Sequence, residues 1–242
     1  MNIRLGNLVA EITRRCNMKC PHCLRGNSQR IDMSHDIIYS ITSQIDGISM
    51  VTFTGGEPSL NSNGIREFMY GFIYNDCPIN GFWIATNARF YKEDFYNVLN
   101  SLYTICGDRE SCVLTISGDQ YHYRRSDRAC EMYSELPFYS DERMKNIDTW
   151  AIVNDGMAKK NQFGEKNITP DMKIKEFYIY GDELFIDDVV YINAKGDVLL
   201  NCDLSYQKQK KYVIGNVLKE SLNDILIRNL DEESLKGAEM CG

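Results

Sequence analysis

Short apolar segments alternate with amphipathic segments along the first two-thirds of this 242-residue chain. The apolar segments have the length of buried strands and cover residues 7–13, 50–53, 82–85, 113–116, 149–153 and 177–180. Between them apolar residues recur at helical spacing, as at Ile65, Phe68 and Phe72. Parallel strands need long crossover connections, usually helices. The alternation therefore predicts an α/β fold with a parallel sheet and helices outside it.

The pattern changes near residue 182. Two short apolar runs, 189–192 and 198–200, flank the turn Ala194-Lys195-Gly196, as in a β-hairpin. A short helix is predicted over 221–228. We therefore expect a core of residues 1–181 and a small C-terminal appendage of residues 182–242, built from a hairpin and a helix.

Composition narrows the functional classes. The net charge is -7, which is opposite to the balance of a general nucleic-acid binder, so a nucleic-acid partner is not expected. The short basic run Lys208-Gln209-Lys210-Lys211 is interpreted as a solvated loop. No apolar run approaches the roughly 18 residues of a membrane span, and no membrane partner is expected. Nine cysteines, an odd number, without a signal-peptide-like stretch favour a cytoplasmic location.

Three of the cysteines lie within eight residues. Cys16, Cys20 and Cys23 have the spacing CX3CX2C, which can bring three thiolates to one face of a loop. In a 4Fe–4S cluster they would bind three irons and leave the fourth open to an exogenous ligand. Zinc bound by the same thiols with His22 or a distant cysteine is the alternative, and local spacing alone leaves the choice open.

A second motif favours the cluster. Thr54-Gly55-Gly56-Glu57-Pro58 ends the second predicted strand, and His22 supplies an aromatic-type residue before the last cysteine. The two motifs in this order resemble those of the radical S-adenosylmethionine (SAM) superfamily. The resemblance covers residues 7 to about 180 and implies a partial (β/α)6 TIM-like barrel. It also implies one three-cysteine 4Fe–4S cluster, SAM, and an external electron donor of the flavodoxin or ferredoxin type.

The resemblance also implies a set of cofactor contacts. Gly55 and Gly56 would let the backbone approach SAM, Pro58 would stiffen the turn, and Glu57 would accept from the SAM ammonium. Asp119, in Ser117-Gly118-Asp119 after the fourth strand, would accept from the ribose hydroxyls. Further candidates at strand ends or in the cysteine loop are His22, Asn87, Ser117 and Asn154. Asn87 stands in Thr86-Asn87-Ala88, where the superfamily commonly has Thr-Asn-Gly.

His122 is the one candidate catalytic residue. It follows Asp119-Gln120-Tyr121, and histidine as a residue type titrates near neutral pH, which suits a substrate-pocket acid or base. A structural histidine at the start of a helix is the alternative. His35 is expected at the surface.

The C-terminal appendage resembles the start of a SPASM or twitch extension, which binds auxiliary iron–sulfur clusters in many peptide and protein maturases. Cys202 matches one ligand position and Cys241 another. The cysteine expected upstream is missing from Ile186-Asp187-Asp188, and two thiols are too few for a cysteine-only cluster. We therefore predict one cluster in total and a degenerate appendage, with a second cluster as the alternative.

These observations predict a radical SAM enzyme that cleaves SAM to a 5′-deoxyadenosyl radical and abstracts hydrogen from its substrate. The appendage favours a peptide or protein substrate, and a small molecule is nearly as well supported. A glycyl-radical-enzyme activase is a third possibility. A non-catalytic zinc or iron–sulfur protein is the alternative from another class, although it leaves Gly55-Gly56-Glu57-Pro58 and Asp119 unexplained.

Overall fold

The strands of the chain form one mixed β-sheet. The computed structural model describes residues 1–122, 124–145 and 151–233. Within these described residues the sheet has nine strands in the order β5-β4-β3-β2-β1-β7-β8-β9, and β6 pairs with β7 beside this path. The strands are β1 (Asn2–Thr13), β2 (Gly47–Gly55), β3 (Ile79–Thr86), β4 (Val113–Ile116), β5 (Tyr139–Ser140), β6 (Phe177–Tyr180), β7 (Glu183–Ile192), β8 (Asp197–Leu199) and β9 (Gly215–Asn216).

The helices connect these strands and cover the sheet. They are α1 (His35–Thr42), α2 (Ser62–Tyr74), α3 (Glu93–Ile105), α4 (Asp127–Ser134), α5 (Glu142–Lys145), α6 (Gly156–Lys160), α7 (Tyr206–Gln209) and α8 (Leu222–Arg228). The predicted apolar face of α2 is buried, and Phe68 packs on Phe53 of β2 with ring centroids 5.3 Å apart. Burying one such side chain stabilises the fold by roughly 1.5–3 kcal/mol. None of the described helices has both the length and the apolarity to cross a bilayer.

The parallel part of the sheet fixes where a site can lie. Strands β1 to β5 pair in sequence and in parallel, so the predicted α/β fold with a parallel sheet is confirmed. Thr13 at the end of β1 is in register with Gly55 at the end of β2, and Thr86 at the end of β3 is in register with Ile116 at the end of β4. Four carboxyl ends therefore meet along one edge, which is where parallel α/β folds place their sites.

Two predicted strands differ from the structure. Within the predicted strand 149–153, residues 149 and 150 lie outside the described residues, and the rest forms only an isolated bridge from Val153 to Lys166. The second, 177–180, is a strand, but it pairs antiparallel with β7 and does not follow β5 in the parallel series. Only Phe177 of this strand is buried, and Tyr178, Ile179 and Tyr180 are exposed.

The C-terminal region is continuous with the sheet. Strand β7 pairs in parallel with β1 over most of its length, and the predicted hairpin forms from β7 and β8. The predicted last helix is α8, whose N-cap Ser221 accepts a hydrogen bond from Asp224 N. The division into 1–181 and 182–242 stays a prediction, and the β1–β7 pairing joins the two parts.

Candidate metal centre

The cysteine loop leaves the carboxyl end of β1 and is held there by the loop after β2. Gly56 N donates to Thr13 O and Glu57 N donates to Arg15 O, both at 2.8 Å. A Cβ atom on Gly55 would lie 1.9 Å from Thr13 O, and one on Gly56 would lie 2.2 Å from Arg15 O. The close approach expected at these glycines is therefore made to neighbouring backbone, which sets the position of the cysteine loop.

Glu57 ties the ends of β2 and β3 together. Its carboxylate is buried and accepts from Ser59 N at 3.1 Å, Thr86 Oγ1 at 2.7 Å and Asn87 N at 2.8 Å. Pro58 is buried beside it and begins a short 3-10 turn. The carboxylate expected to meet the SAM ammonium is thus engaged by three donors of the protein itself.

The three thiols of Cys16, Cys20 and Cys23 lie half-buried on this loop and interact electrostatically with one another. Burial raises the pKa of the Cys16 thiol to about 11 and that of Cys20 to about 12. Asn87 Nδ2 is 4.0 Å from Cys16 Sγ. Burial disfavours the thiolate form of these side chains, and a metal held by them would supply the cation that stabilises it.

The donor set bears on the kind of metal. Three thiols on one loop fit a 4Fe–4S cluster in which three irons take cysteine and the fourth stays open. The ligand atoms of His22, Asp119 and His122 lie within 4.8 Å of one another.

A cluster of rings and one carboxylate stands beside the cysteine loop. Asp119 Oδ2 is 2.7 Å from His122 Nδ1 and 3.7 Å from His22 Nε2, while Asp119 Oδ1 accepts from Tyr121 N at 2.8 Å. The His22 ring stacks on Tyr121 with centroids 4.5 Å apart. The buried Nδ1 atom of His22 has no hydrogen-bond partner among the described residues. The sequence-predicted residues His22, Asp119 and His122 are therefore brought together.

Electrostatics favour an ionised Asp119. Burial by itself raises the pKa of this carboxyl, but the hydrogen bond from His122 and the charges of His122 and His22 outweigh it and hold the pKa well below its usual range. The pKa of His22 is lowered, mainly by burial. The site thus presents a carboxylate acceptor next to the thiols.

Ser117 lies just before this cluster and is buried. Its N donates to Thr86 O at 2.9 Å, and its carbonyl oxygen accepts from Arg125 at 3.1 Å. The sequence did not predict a role for Arg143 on α5. The charge of Arg143 helps to lower the pKa of His22, and the charge of Asp119 acts on Arg143 in turn. No motif marks Arg143, which reaches the site because the end of α5 packs on Gly118.

Among the described residues, no hydrogen bond connects Asn154 to the cluster of His22, Asp119 and His122. Its Nδ2 donates to Asn167 Oδ1 at 3.1 Å, beside the Val153–Lys166 bridge that replaces the expected fifth strand. The next segment does reach the loop, since Met157 N at the start of α6 donates to Cys23 O at 2.8 Å. The sequence carries no recognisable signal for that contact.

Arg25 joins the cysteine loop to the C-terminal region by hydrogen bonds. This guanidinium donates to Cys202 O at 2.6 Å and to Leu204 O at 2.8 Å. Cys202 is thus linked to the loop by its carbonyl oxygen, while its thiol lies 3.9 Å from an Asp203 carboxylate oxygen. Cys241 lies outside the described residues.

Comparisons with known proteins agree with this centre. A family model described as a 4Fe-4S single cluster domain matches residues 6–107. An uncharacterized protein of Methanocaldococcus jannaschii is 30% identical over 105 residues, which are 40% of this chain and 35% of that protein. The aligned part thus spans only about a third of that relative.

The similar solved structures cover more of the chain. The radical SAM enzyme anSMEcpe, solved with bound AdoMet and the Cp18Cys peptide, has a TM-score of 0.55 and 14% identity. An affinity-tagged form of anSMEcpe with bound AdoMet has a TM-score of 0.57 and 13% identity. Each match covers 92% of this chain and 80% of the other. At this identity the likeness shows the fold, and the iron–sulfur family match lies over the part that carries both motifs.

The chain shares its fold with the radical SAM enzyme anSMEcpe, and residues 6–107 match a 4Fe-4S single cluster domain. The predicted partial (β/α) barrel fold is confirmed, and the SPASM-like character of the C-terminal region stays a prediction. Of the two cofactors predicted from the sequence, the 4Fe–4S cluster is that of the matched family model and SAM is bound in the similar anSMEcpe structures.

Proposed function

We propose that this chain is a radical SAM enzyme whose cluster is held by Cys16, Cys20 and Cys23. The observation that carries the proposal is the convergence of these three interacting thiols with the Asp119 carboxylate at the carboxyl edge of the parallel strands. When bound and reduced, such a cluster would supply one electron for the cleavage of SAM to methionine and a 5′-deoxyadenosyl radical, which would take hydrogen from the substrate. The protein supplies binding, orientation and exclusion of water.

The residues around the thiols support distinct tasks. Asp119 is ionised and partly exposed beside Cys20, which suits a carboxylate that accepts from the ribose hydroxyls. Gly55, Gly56, Glu57 and Pro58 position the cysteine loop. Asn87 contacts the cysteine loop directly. Its Nδ2 atom lies near Cys16 Sγ and donates a hydrogen bond to Asn17 Oδ1.

His122 remains the candidate acid or base. Its Nδ1 is bound to the Asp119 carboxylate, which fixes the ring and leaves Nε2 for the substrate. A carboxylate that orients a histidine in this way also sets its tautomer. We therefore assign proton transfer to His122 Nε2 and orientation to Asp119.

We further propose a peptide or protein substrate. The support is the likeness over 92% of the chain to anSMEcpe, which was solved with a bound peptide. We place the enzyme in a reducing compartment, the cytoplasm, and this placement is supported by the eight described cysteines, all of which are free thiols.

The decisive experiment uses protein purified and reconstituted without oxygen. We expect about four irons per chain, the number in one cluster, and formation of 5′-deoxyadenosine from SAM after addition of dithionite. Cys16→Ala, Cys20→Ala and Cys23→Ala should lose both, whereas Cys130→Ala, outside the centre, should lose neither. Zinc in place of iron and no 5′-deoxyadenosine would overturn the enzyme assignment.

The peptide proposal has a separate readout. We expect a peptide substrate to increase 5′-deoxyadenosine formation and to show a mass change in the same reaction. If only small molecules stimulate the reaction, the peptide assignment is wrong and the radical SAM assignment still holds.

A further inference from the structure

The basic run that the sequence left as a solvated loop lines a cavity. Lys208 and Lys211 meet Lys159 of α6 and Arg25 around a cavity of about 720 Å³, between the cysteine loop and the C-terminal region. The run is distant from α6 in sequence, so only the tertiary structure brings these cations together.

This cavity adjoins the backbone of the cysteine loop. Its wall at α6 is fastened there, because Met157 N donates to Cys23 O at 2.8 Å and a Cβ atom on Gly156 would lie 2.6 Å from the same oxygen. Asn161 Nδ2 donates to Pro21 O at 2.8 Å. Arg25, which follows Cys23 by two residues, forms another part of the wall.

The cavity is positively charged although the chain is acidic. Among the described residues that line it, four carry cationic side chains and Asp155 is the single carboxylate. That carboxylate is engaged, since it accepts from Gly156 N and Ser205 N, both at 2.8 Å. Lys159 and Lys211 are exposed and form no salt bridge within the described residues.

The occupant is constrained by this charge distribution. On a chain of net charge -7, an acidic partner is repelled by most of the surface and attracted to a local cluster of lysines. Such complementarity chiefly speeds association and fixes orientation. The proposed function needs an electron to reach the cluster, and the positive surface lies beside the loop that holds it.

We propose that the lysine-lined cavity is the docking site of an acidic one-electron donor protein of the ferredoxin class. This inference rests on the proposed function. One electron leaves the iron–sulfur centre of the donor, which is oxidised, and enters the cluster held by Cys16, Cys20 and Cys23, which is reduced. No bond is broken and no proton is moved.

The test is anaerobic stopped-flow reduction of the reconstituted protein by a reduced acidic ferredoxin at several ionic strengths. The variant is Lys159→Glu with Lys211→Glu. The matched control is Lys195→Glu with Lys219→Glu, which replaces two exposed lysines that do not line the cavity and changes the net charge equally. Lys208 is left in place because its Nζ donates to Ile168 O at 2.6 Å.

We expect the second-order rate constant of the unmodified protein to fall with added salt. At low salt the Lys159/Lys211 variant should react at least tenfold more slowly, whereas the control should change less than twofold. Reduction by methyl viologen radical cation should not slow in either variant. Because the viologen is a cation, its reaction does not depend on attraction by the lysines. An unchanged viologen rate therefore shows that the cluster is intact and accessible in each variant.

Equal ferredoxin rates in both double variants, or a salt-independent rate, would overturn the docking site. If phosphate inhibits more than chloride at equal ionic strength while both variants react alike, the cavity binds a small anion and the proposal is also overturned. Failure to form a viologen-reducible cluster would overturn the proposed function and the docking site with it.

Discussion

At the scale of single residues, Asp119 is where the proposed function is most directly testable. Asp119→Asn removes the charge that the ribose hydroxyls would meet while keeping the side-chain volume. A hydrogen bond to a charged group contributes about 1.5–3 kcal/mol, so we expect SAM to bind at least tenfold more weakly. Equilibrium dialysis on the reconstituted protein measures this, and the iron content should be unchanged.

Asp108→Asn is the matched control for that variant. Asp108 is also a loop carboxylate that accepts from a backbone N, Glu110 N, and from a hydroxyl, Ser111 Oγ. It lies near the opposite edge of the sheet, just before β4. Equal affinities for SAM in the two variants would contradict a contact between Asp119 and the ribose.

Glu57 leads to a different prediction, because its carboxylate satisfies three donors inside the protein. Glu57→Ala leaves Ser59 N, Thr86 Oγ1 and Asn87 N without their acceptor. Each buried unsatisfied group costs about 1–3 kcal/mol, so we expect the free energy of unfolding to fall by about 3 kcal/mol or more. Urea denaturation of metal-free protein measures it. Glu220→Ala, at a half-exposed carboxylate that forms a surface salt bridge with Arg228, should have a much smaller effect, and equal losses would refute this role.

At the scale of elements, the junction of β1 and β2 controls the position of the cysteine loop. Gly55 has φ +146°, and a Cβ atom there would overlap Thr13 O. We expect Gly55→Ala to lower the midpoint of thermal unfolding strongly and to reduce iron incorporation, because the β1 end must move. Calorimetry and iron analysis check both effects.

Gly181→Ala is the control for this junction. Gly181 also has a positive φ, +61°, but no atom of the described residues lies within 4 Å of a Cβ built there. Its cost should be limited to the strain of a left-handed alanine, roughly 1–2 kcal/mol. If both variants lose stability equally and keep their iron, contact between the strands is not what holds the loop.

At the scale of the whole molecule, a buried polar network joins the C-terminal region to the barrel. Glu11 on β1 is fully buried, forms a salt bridge with Arg14 and accepts from Tyr191 OH and Gln209 Nε2. Gln209 Oε1 in turn accepts from Arg14 at 2.6 Å and from Asn193 at 3.3 Å. The network spans nearly the full length of the chain and lies just before the cysteine loop.

Gln209→Leu therefore removes a connection between distant parts of the chain. We expect the free energy of unfolding to fall by about 3 kcal/mol, because buried partners lose their hydrogen bonds. Hydrogen exchange should become faster in α7 and in the cysteine loop together. Gln207→Leu, at an exposed position of the same helix, should change neither, and faster exchange in α7 alone would rule out the coupling.

Much of the local structure follows from local sequence. The positions of α1, α2, α3 and α8 follow from the helical spacing of apolar residues, and the β7–β8 hairpin follows from its turn at Ala194-Lys195-Gly196. The segment 177–180 shows the limit of such reasoning. An apolar run predicts a strand, but its direction and partner depend on segments far away in the sequence.

The same limit applies at the centre. The sequence determined the three thiols, the Gly-Gly-Glu-Pro turn and the Ser-Gly-Asp segment, because cofactor chemistry requires particular side chains at short spacing. Only the tertiary structure decided that Glu57 faces inward, that Arg143 reaches Asp119, and that lysines from α6 and the 208–211 run share a cavity. These relations join residues far apart in the chain. Hydrogen bonding, burial and charge act through space, and the distances that govern them are fixed only when the sheet is assembled.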